Sequence, residues 1–229
     1  MAVRRVRYCA LILRAVSTKF GKWQCLSLSS ERFQGSNRAN SHNRAVRSWV
    51  STVESTWECY QEWIDMYPAA AVANAFLQMA DAEGRPLTHM QLQKLVYITH
   101  GWHLAVTARS LISESVEAWK YGPVIPELYD LLKQFGREPV TAPLKWWDDD
   151  TGAWRTSVPQ FPEDSTEVIG RVWGAYKQLN GLQLSTLTHQ KETPWYVTAG
   201  ELPEYKRRGL VIPERLIQKH YVEIGRRRS

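Results

Sequence analysis

Beyond residue 59 the sequence contains no cysteine; Cys9, Cys25 and Cys59 are the whole complement. An odd count confined to one end gives no disulfide framework, and the spacings fit no zinc-ligand pattern. The rest of the chain has no thiolate to use as nucleophile or ligand, and a reducing compartment, the cytoplasm, is expected. Nor is there a run of the roughly 20 consecutive apolar residues that a membrane-spanning helix needs. The longest near the start, Tyr8 to Leu13, is closed off by Arg14. No glycine-rich phosphate loop and no G-x-S-x-G turn occurs, so neither nucleotide chemistry nor a serine hydrolase is indicated. A surplus of one charge sign is also missing from most of the chain. Of the net +6, residues 1–67 hold ten Lys/Arg against five Asp/Glu, whereas residues 68–229 hold nineteen against eighteen. That near-neutral body lacks the basic excess of a dedicated nucleic-acid binder. Lys206-Arg207-Arg208 and the Arg226 to Arg228 tail then read as solvated charge.

What is present falls into two regions. Residues 1–45 are rich in Arg and Ser, poor in acids and without periodicity. Such a composition suits a targeting leader, a disordered extension, or residues outside the natural product. In 46–67, Val46, Val50, Val53, Trp57, Tyr60, Ile64 and Tyr67 alternate steps of four and three, which marks out a candidate amphipathic helix over 46–65.

From Pro68 the pattern becomes regular and mainly helical. Val72, Phe76, Leu77 and Ala80 share a helical face, and Gly84 is placed to end that helix. Thr88 with Gln91 forms a capping-box pattern, because hydroxyl and amide can each satisfy an orphan backbone N–H. Behind it Leu92, Leu95, Val96, Thr99, Trp102 and Val106 continue one apolar face. Gly101, unfavourable inside a helix by about 1 kcal/mol against Ala, predicts a close helix crossing. Val116 to Tyr121 alternate as in a brief strand, Gly122-Pro123 predicts a turn, and Pro126 suits a helix's first position. Leu128, Leu131, Leu132 and Phe135 give that helix its face. The proline-bearing stretch 137–163, with Asp148-Asp149-Asp150, reads as a long surface connection with a hairpin around Thr151-Gly152. A helix follows through Ser165, Val168, Ile169, Val172, Trp173, Tyr176 and Leu179, ended by Asn180-Gly181. Short helices are predicted from about Ser185 and over Pro194–Ala199, the latter capped by Thr193. A last one begins at Pro213, with Leu216, Ile217, His220, Tyr221 and Ile224 on its face. The expected fold is a compact, mainly helical single domain over 66–229 with at most a short strand or hairpin element.

Three blocks in this region resemble the Panacea (SocA-like antitoxin, phage-associated GepA-like) family. The first comprises Val72-Ala73-Asn74, Leu87 to Tyr97 (LTHMQLQKLVY) and His100-Gly101-Trp102. The second is Glu117 to Pro126 (EAWKYGPVIP), and the third is Leu184 to His189 (LSTLTH) with Pro194-Trp195. The resemblance runs over roughly residues 68–224. It implies an antitoxin that binds and neutralises a cognate toxin protein, or alternatively a proteolytic adaptor that delivers its toxin to a Clp-type protease. Because such domains usually begin just before their first helix, Met66 is the expected natural start, and residues 1–65 an over-extended reading frame.

The candidate sites follow. His100 and His103 lie three apart on one helix and, with His189, could supply three ligands to a metal-dependent enzyme. No carboxylate or cysteine stands at a supporting spacing, so the expectation is no metal, no cofactor and no catalytic residue. Trp119, Tyr121, Gly122, Pro123 and Pro126 combine a rigid turn with large amphipathic rings, which anchor interfaces at little entropic cost. They are the candidate partner-binding residues, although Trp119 and Tyr121 equally suit a core. Gln93, Lys94, His100, Trp102, His189, Pro194 and Trp195 are expected to be structural motif residues.

Overall fold

The computed structural model describes residues 66–149, 151–207 and 209–228. The expectations placed on residues 1–65, including the amphipathic helix, lie outside these. The mainly helical class is what is found, with two small antiparallel hairpins and no closed sheet. In chain order come α1 (Ala69–Ala82), α2 (His89–Thr107), β1 (Glu117–Trp119), β2 (Gly122–Val124) and α3 (Pro126–Leu132). Then follow β3 (Trp146–Asp148), β4 (Ala153–Arg155), α4 (Glu163–Tyr176), α5 (Gly181–His189), α6 (Pro194–Ala199) and α7 (Glu214–Arg228). No helix among the described residues is long and apolar enough to cross a membrane.

Helix α2 is the axis around which the others pack. Its start is the predicted capping box: Thr88 N–H donates to Gln91 Oε1 at 3.0 Å, and Gln91 N–H to Thr88 Oγ1 at 3.5 Å. One expectation fails here. Instead of a single apolar face, every residue from Leu92 to Gly101 is buried, including Gln93, Lys94 and His100, while Val106 is exposed. The reason is position: α1, α4, α5 and α7 all pack on α2, so no side of it remains for solvent. Gly101 is indeed the close crossing, since a Cβ there would lie 2.1 Å from the Tyr221 ring of α7. The other half of the core joins Phe76 of α1 to Trp173 of α4, ring centroids 6.1 Å apart.

Two boundaries differ from the sequence reading. Asn180-Gly181 does not end α4, which stops at Tyr176; it begins α5. Asn180 Oδ1 accepts from Gln183 N–H at 2.9 Å, and Gln183 Oε1 from Asn180 N–H at 2.8 Å, a second capping box. Gly122-Pro123 is not the turn but the start of β2, and the turn is Lys120-Tyr121. Among described non-glycine residues only Ala108 and Glu192 have positive φ, so the turn residues take ordinary conformations and Gly122, at φ 103°, absorbs the reversal.

The second hairpin pairs Trp147 with Trp154 across β3 and β4, near the expected Thr151-Gly152 turn. It is rooted by one buried side chain. Asn74 Nδ2 donates to Leu144 O at 2.8 Å and Thr156 O at 3.0 Å, and Asn74 Oδ1 accepts from Leu144 N–H at 2.8 Å. A groove of about 600 Å³ opens beside that root, between α1 and residues 140–143.

Candidate functional site

A three-residue strand contributes little hydrogen bonding of its own, and two-stranded hairpins are marginal in water. The β1–β2 hairpin is nevertheless held closely, because side chains of other elements bond its main chain. Trp195 Nε1 donates to Trp119 O at 2.8 Å, and Ser185 Oγ to Tyr121 O at 3.0 Å. His189 Nε2 faces Lys120 O at 3.1 Å. Lys94 Nζ donates to Pro123 O at 2.9 Å. Gln93 pairs with the next peptide twice over: its Nε2 donates to Ile125 O at 3.0 Å and its Oε1 accepts from Ile125 N–H at 3.1 Å. On the far side of β1, Ala118 N–H donates to Leu210 O and Ile212 N–H to Val116 O. Five side chains from α2, α5 and α6 thus form a cradle for the backbone of residues 119–125.

The cradle explains its own composition. Lys94 is buried and forms no ion pair among the described residues, so burial alone holds its ammonium down at about 7. A Cβ on Gly122 would stand 3.1 Å from Lys94 Nζ and 3.0 Å from both Thr188 Oγ1 and His189 Cε1. Glycine is required there on two counts, its positive φ and this close approach. Trp195 is buried between the His189 ring, at 4.1 Å, and the Arg207 guanidinium, at 5.1 Å. Thr193 caps α6 as predicted, accepting from Tyr196 N–H at 3.3 Å, and Pro194 is buried in its first turn.

Held by its backbone, the hairpin turns side chains outward. Tyr121 is 60% exposed, with the Lys120 ammonium 5.5 Å from its ring centroid. Lys120 also pairs with Glu204 at 3.1 Å, and that contact raises the lysine's pKa. Tyr205, next to Glu204 in the chain, is 81% exposed. Trp119 is half-buried, its ring 4.9 Å from that of Tyr129 and its Nε1 donating to Glu117. Gly122 and Pro123 are buried and offer no surface, and Pro126 is half-buried at the start of α3. Sequence reasoning missed Lys120, Glu204 and Tyr205 on the outside and Ser185 beneath. Only the hairpin's position could have revealed them.

The histidines have other duties. His103 Nδ1 faces Arg109 O at 2.8 Å and its Nε2 faces Ser165 Oγ at 2.9 Å. His189 Nδ1 faces Ser185 O at 2.7 Å. His100 Nδ1 accepts from Leu111 N–H at 3.4 Å. Its buried Nε2 has no aligned hydrogen bond, yet lies 3.4 Å from Glu214 Oε1, and the imidazole holds that carboxyl below its usual range. No group of three or more His, Cys, Asp or Glu able to hold a metal ion occurs among the described residues. Trp102 of the same helix packs its ring 5.3 Å from Tyr221.

The family model described as Antitoxin SocA-like, Panacea domain matches residues 92–196, which span every cradle residue from Gln93 to Trp195. Antitoxin SocA of Caulobacter vibrioides (strain NA1000 / CB15N) is 31% identical over 153 residues, covering 67% of this chain and 81% of that protein. No solved structure matches the chain. On this agreement of sequence and relative, the chain belongs to the SocA-like antitoxin, Panacea-domain family.

Proposed function

We propose that the protein is an antitoxin of a toxin–antitoxin system, acting in the bacterial cytoplasm by direct binding of a cognate toxin protein. Its contact surface is the outer side of the β1–β2 hairpin. The observation that carries this reading is the cradle: buried motif residues hold the hairpin's main chain and leave the side chains of Lys120 and Tyr121 facing out. A rigid, exposed tyrosine with neighbouring charge is the chemistry of an interface anchor. Family membership supplies the kind of partner.

The test is co-expression of the full chain with each neighbouring gene, scoring growth and co-purification. A neighbour that is toxic alone, harmless together and recovered in complex is the expected result. Rescue that vanishes in a host lacking Clp-type proteases, with the toxin level rising, would replace neutralisation by the adaptor reading. If no neighbour is toxic, the antitoxin reading is lost.

A further inference from the structure

His189 stands between two main-chain carbonyls. Its Nδ1 lies 2.7 Å from Ser185 O and its Nε2 3.1 Å from Lys120 O, and a carbonyl oxygen only accepts. A neutral imidazole carries one N–H and an imidazolium two, so only the charged ring bonds both. The neutral ring has two forms, and each costs the hairpin a bond. With the proton on Nδ1, the Nε2 lone pair faces Lys120 O and that carbonyl is released. With the proton on Nε2, the bare Nδ1 faces Ser185 O, and its donor is then the Ser185 hydroxyl at 3.3 Å. That hydroxyl has a single hydrogen, which it gives to Tyr121 O at 3.0 Å, so turning it to Nδ1 releases Tyr121 instead.

The surroundings let that proton come and go. The ring is half-buried, with the Trp195 ring at 4.1 Å and the Arg207 guanidinium packed on the same indole. Lys94 of α2 is its neighbour, since a Cβ on Gly122 would meet His189 Cε1 and Lys94 Nζ together. Lys120 is drawn to Glu204, and Lys191 and Glu192, which follow in the chain, are exposed. Two adjacent cations disfavour each other, and Lys94 is the one that can yield. Burial holds its ammonium down at about 7, and a neutral amine still donates to Pro123 O. Lys94 therefore gives up a proton without releasing the hairpin, whereas His189 does not. We propose that His189 is a proton-operated clasp on the tip of the β1–β2 hairpin: as imidazolium it leaves Lys120 O and Tyr121 O both bonded, and on passing its proton to solvent it lets one of them go. The device acts on the hairpin itself and stands whether or not that hairpin binds toxin.

The experiment is an NMR titration of the full chain, labelled with carbon-13 and nitrogen-15, from about pH 5 to about pH 9, which brackets histidine's ordinary range. The ring nitrogens of His189 report its charge, the carbonyl signals of Lys120 and Tyr121 report their hydrogen bonds, and amide protection factors report the tip. The expected result is a single midpoint for loss of the ring proton and for movement of one of the two carbonyl signals. Protection over residues 119–122 should fall about fivefold through that midpoint, the worth of one hydrogen bond, while the amides of Trp147 and Trp154 in the second hairpin stay unchanged. His189→Gln, which cannot titrate, should lose the step, and Lys94→Met should keep it. A ring that holds one form throughout, or one that titrates with no change in either carbonyl, overturns the proposal. So does a step that survives in His189→Gln or disappears in Lys94→Met alone, because the response then belongs to Lys94. The wild-type titration is decisive by itself, so a variant that fails to fold leaves the test intact.

Discussion

In β1–β2 five of the seven carbonyls from Trp119 to Ile125 are bonded by a side chain of α2, α5 or α6, whereas β3–β4 is anchored at its base by Asn74. Both devices use a buried amide, Gln93 in one and Asn74 in the other, that pairs with a peptide unit as a neighbouring strand would. The difference lies in how far along the hairpin the grip extends. A hairpin gripped along its length has a fixed shape whatever its outward side chains are, so recognition can change without disturbing the fold. A ribbon gripped at its root lacks that support along its length, and its rings must carry any recognition themselves.

Glycines should separate the two most sharply. Gly122→Ala meets both a positive φ and three atoms about 3 Å away, and should lower stability by about 3 kcal/mol in urea unfolding. Gly152→Ala, in the second hairpin, has the same kind of φ with nothing within 4 Å, and should lower it by only about 1 kcal/mol. Equal effects would erase the distinction drawn between the hairpins.

The buried amides come next. Gln93→Leu strands the N–H of Ile125, whose C=O keeps its bond from Tyr129 N–H, and Asn74→Leu strands both the N–H and the C=O of Leu144, each costing about 1–3 kcal/mol. Hydrogen exchange distinguishes them: the Gln93 variant should expose amides around β1–β2 and leave β3–β4 unchanged, and the Asn74 variant should do the reverse.

Lys94 gives the first hairpin a pH signature that the second lacks. Its folded pKa, at about 7, lies below the unfolded value of 10.5, so the unfolded chain binds more protons between those limits. Stability should therefore rise with pH from about 7 toward 10, and the burden should be full below 7. Buried Tyr97 and Tyr221, whose pKa values are raised, reverse the trend above about 10. Urea midpoints across pH 6 to 10 in wild type and Lys94→Met check this: the variant should lose most of the slope. The smallest effect belongs to Trp154→Ser, less than about 1 kcal/mol, because an exposed cross-strand pair steadies only its own ribbon.

Much of the scaffold was legible in local chemistry. Thr88 and Gln91 announce α2, Gly101 announces the crossing with Tyr221, and the Thr151-Gly152 turn announces β3–β4. The failures share a cause in tertiary context. Gln93 and Lys94 stood out as structural motif residues, but only the packing of four helices around α2 shows them to be buried donors. Asn180-Gly181 suits a helix end as well as a helix start, and its pairing with Gln183 decides the matter. At the candidate site the motif residues were visible, but their common purpose was not. Donors drawn from α2, α5 and α6 meet on one hairpin only after the chain has folded.

The most direct measurement is the affinity of the full chain for its cognate toxin, compared between wild type and Tyr121→Ala with Lys120→Ala, the fold of each being verified by circular dichroism. Both side chains point away from the cradle, so the variant should remain folded and lose at least tenfold in binding along with growth rescue. Full affinity and full rescue in the folded variant would contradict the account and remove the hairpin from the interface.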